Sequence, residues 1–186
     1  MSEMVRVIPK EQFDVRDTLT SLAYRLNWFL AEVGQPVGVL EDIWELPRSA
    51  GSVHYVEDPV VRMSYMVVRA EDSERVAAAI KQGIPSWDLR DVLQALRLSR
   101  TVDEKIKNVY LMALAAHEGQ GGEVTEALSL VFRDPAEEVR KSAVVASGYV
   151  GLAATRELLQ ESASGDSSAR VRENARLMLE ALERHP

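Results

Sequence analysis

Residues 134–143 read Asp134-Pro135-Ala136-Glu137-Glu138-Val139-Arg140-Lys141-Ser142-Ala143. Thirty-two positions later the chain reads Asp166-Ser167-Ser168-Ala169-Arg170-Val171-Arg172-Glu173-Asn174-Ala175. Asp, Val, Arg and Ala recur in register. A fainter copy precedes them: Ile106-Lys107 lies 33 residues before Val139-Arg140, with Thr101 in place of the aspartate and Tyr110 in place of the small alanine. A period in this range marks stacked supersecondary units rather than one irregular fold. Each unit reads as two helices. Asp134 is a candidate N-cap, Pro135 suits a first helical position, and Glu137 and Glu138 suit the positive helix end. Val139, Ala143 and Ala146 then share one helical face, and Val124, Ala127, Leu128 and Val131 give the preceding helix its apolar face.

Working outward, Ser164-Gly165 and Gly119-Gln120-Gly121-Gly122 break the chain between helices, and Val171, Ala175, Met178, Leu179 and Leu182 form the last stripe. The spacing predicts helices near 86–97, 101–116, 123–132, 135–149, 152–163 and 167–184, as three helical hairpins in series. A two-helix unit cannot bury its stripe alone and must stack. An arginine near a stacking surface needs a carboxylate, because a lone buried charge is costly.

On the Asp-x5-Arg pairs, each with Val before the Arg and Ala three after it, residues 86–184 resemble the HEAT-like repeats. They resemble in particular the short variety of the phycobilisome lyases. The resemblance implies an α-α superhelix with a ladder between units, formed here by Asp134, Arg140, Asp166 and Arg172. The upstream unit departs, with Thr101 and Lys107, so the ladder is expected to stop there.

Residues 1–85 read as a small α+β unit and 86–186 as the solenoid. Asp14 caps a helix whose stripe runs Leu19, Leu22, Ala23, Leu26, Leu30 and Val33 to a stop at Gly34. Three short strands follow as a meander around Ile43–Leu46, Val53–Val56 and Val61–Val67. The last alternates apolar and polar residues at period two. A helix capped by Asp72 or Ser73 ends at Gly83, and Ile84-Pro85-Ser86 is the junction.

The chain has 186 residues, enough for a sizeable core. Its 46% hydrophobic and 27% charged content excludes a disordered polar tract. No cysteine is present, which removes disulfides, thiolate metal sites and a thiol nucleophile. There is no run of membrane-span length and no apolar signal core in Met1–Lys10. The expectation is a soluble, cytoplasmic protein. The 22 basic and 29 acidic side chains give a net charge of −7, spread over both halves, which disfavours nucleic acid and favours a basic partner.

No residue set predicts catalysis, a cofactor or a metal. His54 and Tyr55, beside Glu45, Glu57 and Asp58, read as an exposed histidine near a turn rather than a general base. His54, His117 and His185 have no shared ligand spacing. The glycine run at 119–122 lacks the lysine of a phosphate cradle. The expected role is protein binding without catalysis, with Tyr24, Trp28, Trp44, Trp87, Lys107, Lys141 and Arg176 as candidate contacts on the concave or free sheet surface, although core packing is the leading reading of the aromatics, which are mostly interior mass. A homo-oligomer is compatible with this role. The alternative implied by the resemblance is an enzyme, a bilin lyase or isomerase, or a protein like the HEAT-like DNA glycosylases.

Overall fold

A computed structural model describes residues 4–35, 38–116 and 121–184. The chain is mainly helical and divides into two compact units, Met1–Trp87 and Asp88–Pro186. Among the described residues no helix is long and apolar enough to cross a membrane.

In the first unit β1 (Met4–Val7), β2 (Phe29–Glu32), β3 (Leu40–Glu45), β4 (Gly51–Asp58) and β5 (Met63–Ala70) form one antiparallel sheet, ordered β1-β5-β4-β3-β2. Three strands were expected, and the meander β3-β4-β5 supplies them. The sheet has two more, one on each edge. Helices α1 (Val15–Arg25) and α2 (Ser73–Gly83) share a core with one sheet face, built on Leu19, Leu22, Ala23, Trp44, Val53, Met66, Val68, Ala77 and Ile80. Arg16 ties α1 to β3 by a two-pronged bond to the buried Asp42, Nε to Oδ2 at 2.6 Å and Nη2 to Oδ1 at 2.8 Å.

Helix α1 ends nine residues before the expected Gly34. Asn27 takes a left-handed φ of 57°. Its N–H donates to Tyr24 O, and the Trp28 N–H donates to Ala23 O, the paired bonds of a Schellman close. Asparagine tolerates that conformation better than most residues. Leu30 therefore belongs to β2, and Val33 lies just beyond it. Asp14 sits before α1 with a φ of 53° and makes no side-chain cap bond, whereas Asp72 accepts the Arg75 N–H as a true cap of α2.

At the β3–β4 turn Gly51 has a φ of 130°, and a Cβ there would lie 2.2 Å from Arg69 O. The chain approaches β5 too closely for any side chain. Strands β4 and β5 are buried on both faces: Val53, Tyr55, Met66 and Val68 on the helix side, His54, Val56, Tyr65 and Val67 on the other. The second face expected to be free is therefore covered along these strands.

The second unit holds α3 (Leu89–Leu98), α4 (Val102–Ala115), α5 (Gly121–Val131), α6 (Glu137–Val150), α7 (Leu152–Gly165) and α8 (Ala169–Arg184). Helix α6 packs against α4 on one side and α8 on the other, while α3 packs on α4 and α7 on α8. Val109, Met112, Leu128, Val139, Ala143, Leu159, Val171 and Ala175 are fully buried among them. Helix α4 opens with a capping box. Thr101 Oγ1 accepts the Glu104 N–H at 3.2 Å, and Glu104 Oε2 accepts the Thr101 N–H at 3.1 Å. Gly151 (φ 98°) alone links α6 to α7.

Asp134 and Pro135 do not cap and open α6 as expected, since the helix starts at Glu137. The Asp134 carboxylate accepts the Ala136 N–H at 2.9 Å instead, and Asp166 likewise accepts the Ser168 N–H at 2.7 Å, each in the turn just before its helix.

Candidate functional site

Arg140 is the fourth residue of α6 and is 9% exposed. All five of its N–H groups are used. Nε donates to Asp166 Oδ2 at 2.8 Å, and Nη2 to Asp166 Oδ1 at 3.0 Å and Ser167 Oγ at 3.1 Å. Nη1 donates to Asp134 O at 2.9 Å and Pro135 O at 3.1 Å. The guanidinium thus joins its own turn to the next one.

One interhelical turn earlier a similar connection is made by Lys105, whose Nζ reaches Asp134 Oδ2 at 2.5 Å. The row therefore continues upstream through Lys105, where Lys107 and a stop had been expected; Lys107 is exposed on α4. Lys105, Arg140 and Arg172 are each the fourth residue of their helices. The motif match at Ile106-Lys107 slips by two residues because it aligns side chains. Counting from the helix start, which the Thr101 capping box marks in the sequence, identifies Lys105.

The row sets the protonation of its members. Burial pushes the Asp134 carboxyl up, but hydrogen bonds from Lys105 and the Ala136 N–H, with the charges of Lys105 and Arg140, hold it below its ordinary value. Asp166 behaves alike: burial opposes ionisation, and Arg140, the Ser168 N–H and the Arg172 charge outweigh it. The hydrogen bond to Asp166 raises Arg140 in turn, against the cost of burial.

The row borders a groove. Helix α5 packs on α7, but no comparably close packing joins α3 to α5 among the described residues. The gap is a cavity of about 700 Å³. Leu93 and Leu96 of α3, Ala127, Leu130 and Val131 of α5, and Val139 of α6 make its apolar surface. Arg90 and Arg97 stand on the α3 side, Glu123 and Glu126 on the α5 side, and the Lys105–Asp134 pair also lines it. Leu130 is 67% exposed, a large apolar side chain presented to solvent inside a recess. The volume lies in the range of sites that enclose a ligand or a few side chains of a docking segment.

The expected aromatic contacts divide. Trp44 is 1% exposed and Trp28 is buried in the same core, so neither presents a face to a partner. They do not form a patch with Tyr24, because Asn27 turns the chain between Tyr24 and Trp28. Tyr24 is exposed and stands edge-on to Trp44, ring centres 6.0 Å apart. Trp87 is half-buried under Lys10, whose Nζ lies 5.3 Å from the ring centre. Lys141 pairs with Glu137 at 3.6 Å and Arg176 with Glu173 at 2.8 Å.

His54 and Tyr55 do not share a site, since successive strand residues face opposite ways. His54 Nδ1 lies 2.7 Å from Glu41 Oε1 and Nε2 lies 2.8 Å from Ser52 Oγ. The ring is buried rather than exposed as expected, held between a carboxylate and a hydroxyl, and neither His54 nor Ser52 lines the groove. The Tyr55 hydroxyl donates to Glu57 Oε1 at 2.9 Å, and burial, reinforced by Glu57, pushes it up to about 12. Of the glycine run, Gly121 and Gly122 open α5; Gly119, Gln120, His117 and His185 lie outside the described residues.

No protein-family model matches the chain, and no curated protein and no solved structure matches it.

Proposed function

We propose that the second unit is a short HEAT-like solenoid of three hairpins, α3–α4, α5–α6 and α7–α8, and that the protein binds another protein without catalysing a reaction. The groove between α3 and α5 carries this reading. It combines an apolar floor with charged rims, the composition of a site for a partner's helical segment. The recurrence of a basic residue at the fourth position of α4, α6 and α8 supports the repeat. A stacked array offers a pre-ordered surface, so little ordering entropy is lost on docking.

The net charge of −7 favours a partner with a basic surface and raises its association rate at low salt. The alternative, an enzyme or nucleic-acid binder of the same repeat type, has less support. The groove sets Arg90, Arg97 and Lys105 against Glu123, Glu126 and Asp134, with no surplus of positive charge for a phosphate backbone.

The test is a photo-crosslinking residue at position 130, with position 177 as an exposed control on α8. A discrete adduct is expected from position 130 alone, and Gln94→Trp, which fills the groove from an exposed lining position, should abolish it while the melting temperature holds. Identical adducts from both positions, or none from 130, would remove the groove as the binding site.

A further inference from the structure

Arg172 repeats Arg140 in place but not in occupancy. Its Nη1 donates to Asp166 O at 2.6 Å and Ser167 O at 3.2 Å, just as Arg140 Nη1 holds Asp134 O and Pro135 O. Those two bonds orient the guanidinium plane. The remaining three N–H groups, on Nε and Nη2, are the ones with which Arg140 grips the next unit's aspartate and serine. At Arg172 no side-chain acceptor meets them among the described residues, and no carboxylate lies within ion-pair distance. The neighbours change in the same direction. The face of α6 that carries Arg140 also carries Val144 and Ser147, both buried. Thirty-two residues on, Arg176 is exposed and Leu179 half-buried.

We propose that the open fork of Arg172 is a docking point for a carboxylate of a partner protein, which makes this face of α8 a surface for an acidic protein segment. The occupant follows from charge and geometry. A guanidinium fork with parallel Nε and Nη2 donors takes a carboxylate in two bonds, as the Arg140–Asp166 rung in the same chain does. Arg176, standing where α6 has Val144 and paired with Glu173 at 2.8 Å, makes the rest of the face polar and unsuited to an apolar surface, so the recognition rests on the Arg172 fork. This surface is separate from the α3–α5 groove, and the proposal does not depend on what the groove binds.

The probe is an end-blocked hexa-aspartate peptide, titrated into the full-length chain at ~150 mM salt, where the long-range repulsion from the net negative charge is screened. The readout is the set of arginine Nε–H resonances. The Arg172 resonance is expected to move and saturate, while that of Arg140, already engaged, stays in place. Arg172→Lys keeps the charge but loses the fork and should weaken binding about tenfold or more, whereas Arg170→Lys, at an exposed neighbouring position, should not. An equal loss in both variants would reduce the effect to diffuse attraction and overturn the proposal. So would an Arg172 resonance that never moves. If instead the wild type sediments as a dimer that Arg172→Lys dissolves, the occupant is a second copy and the acidic partner is refuted.

Discussion

Arg140 shows how a charge can be placed inside a helical stack. Its side chain and that of Asp166 are 11% and 5% exposed, so neither can fall back on water if the other is removed. Arg140→Ala therefore strands a buried carboxylate and should destabilise the fold by about 3 kcal/mol. Arg133→Ala, at an exposed position seven residues earlier, should cost less than about 0.5 kcal/mol. Urea unfolding of the two variants checks the contrast. The same rung has a pH signature. Asp166 titrates below its ordinary value in the folded chain, so between the two values the unfolded state binds more protons. The stabilisation is complete above about pH 4 and fades as pH falls through the lower folded value. Asp166→Asn should be less stable than wild type at pH 7, and the gap should close progressively below pH 4. A gap that stays constant down to pH 2 would contradict the ionised rung.

Helix α1 and strand β2 show how one residue divides two elements. The apolar spacing from Leu19 to Val33 is continuous enough to read as a single helix, and only the left-handed turn at Asn27 splits it. Asn27→Gly should be nearly neutral, because glycine takes that conformation freely. Asn27→Val should cost about 1–2 kcal/mol, because a branched side chain does not. Thermal melts of both variants measure the difference. Strand β2 then lies at the sheet edge, paired through Phe29–Glu45 and Leu30–Trp44 with a register shift before Glu32. An irregular, four-residue edge strand carries little alternation to betray it in sequence. Lys105 makes the same point for helices: its role depends on its distance from the capping box, a count that the repeated Val-Arg pair obscures.

Across the molecule, charge governs what the surface can attract. Gel-shift assays at ~150 mM salt should show no retention of duplex DNA or RNA, since the −7 charge has no segregated basic half to offset it. Retention at that salt would overturn the protein-binding reading in favour of its nucleic-acid alternative. The six helices of the second unit, the helix before Gly83 and the three central strands were legible from periodicity, caps and breakers. Those signals are interactions between residues a few positions apart, and they act before any tertiary contact forms.

Core packing was the leading reading of Trp28 and Trp44 and both are buried, but the surfaces that cover them, the edge strands β1 and β2, the Lys105–Asp134 rung and the α3–α5 groove were not legible. Each depends on which distant surfaces meet. A tryptophan in a short apolar run has the same local pattern whether a helix covers it or a partner does. A groove is the absence of packing between two helices that are each well formed alone. Local chemistry in the amino-acid sequence settled where most of the helices lie, though not the end of α1 or the start of α6; long-range packing settled which of their charges are shared and which are enclosed.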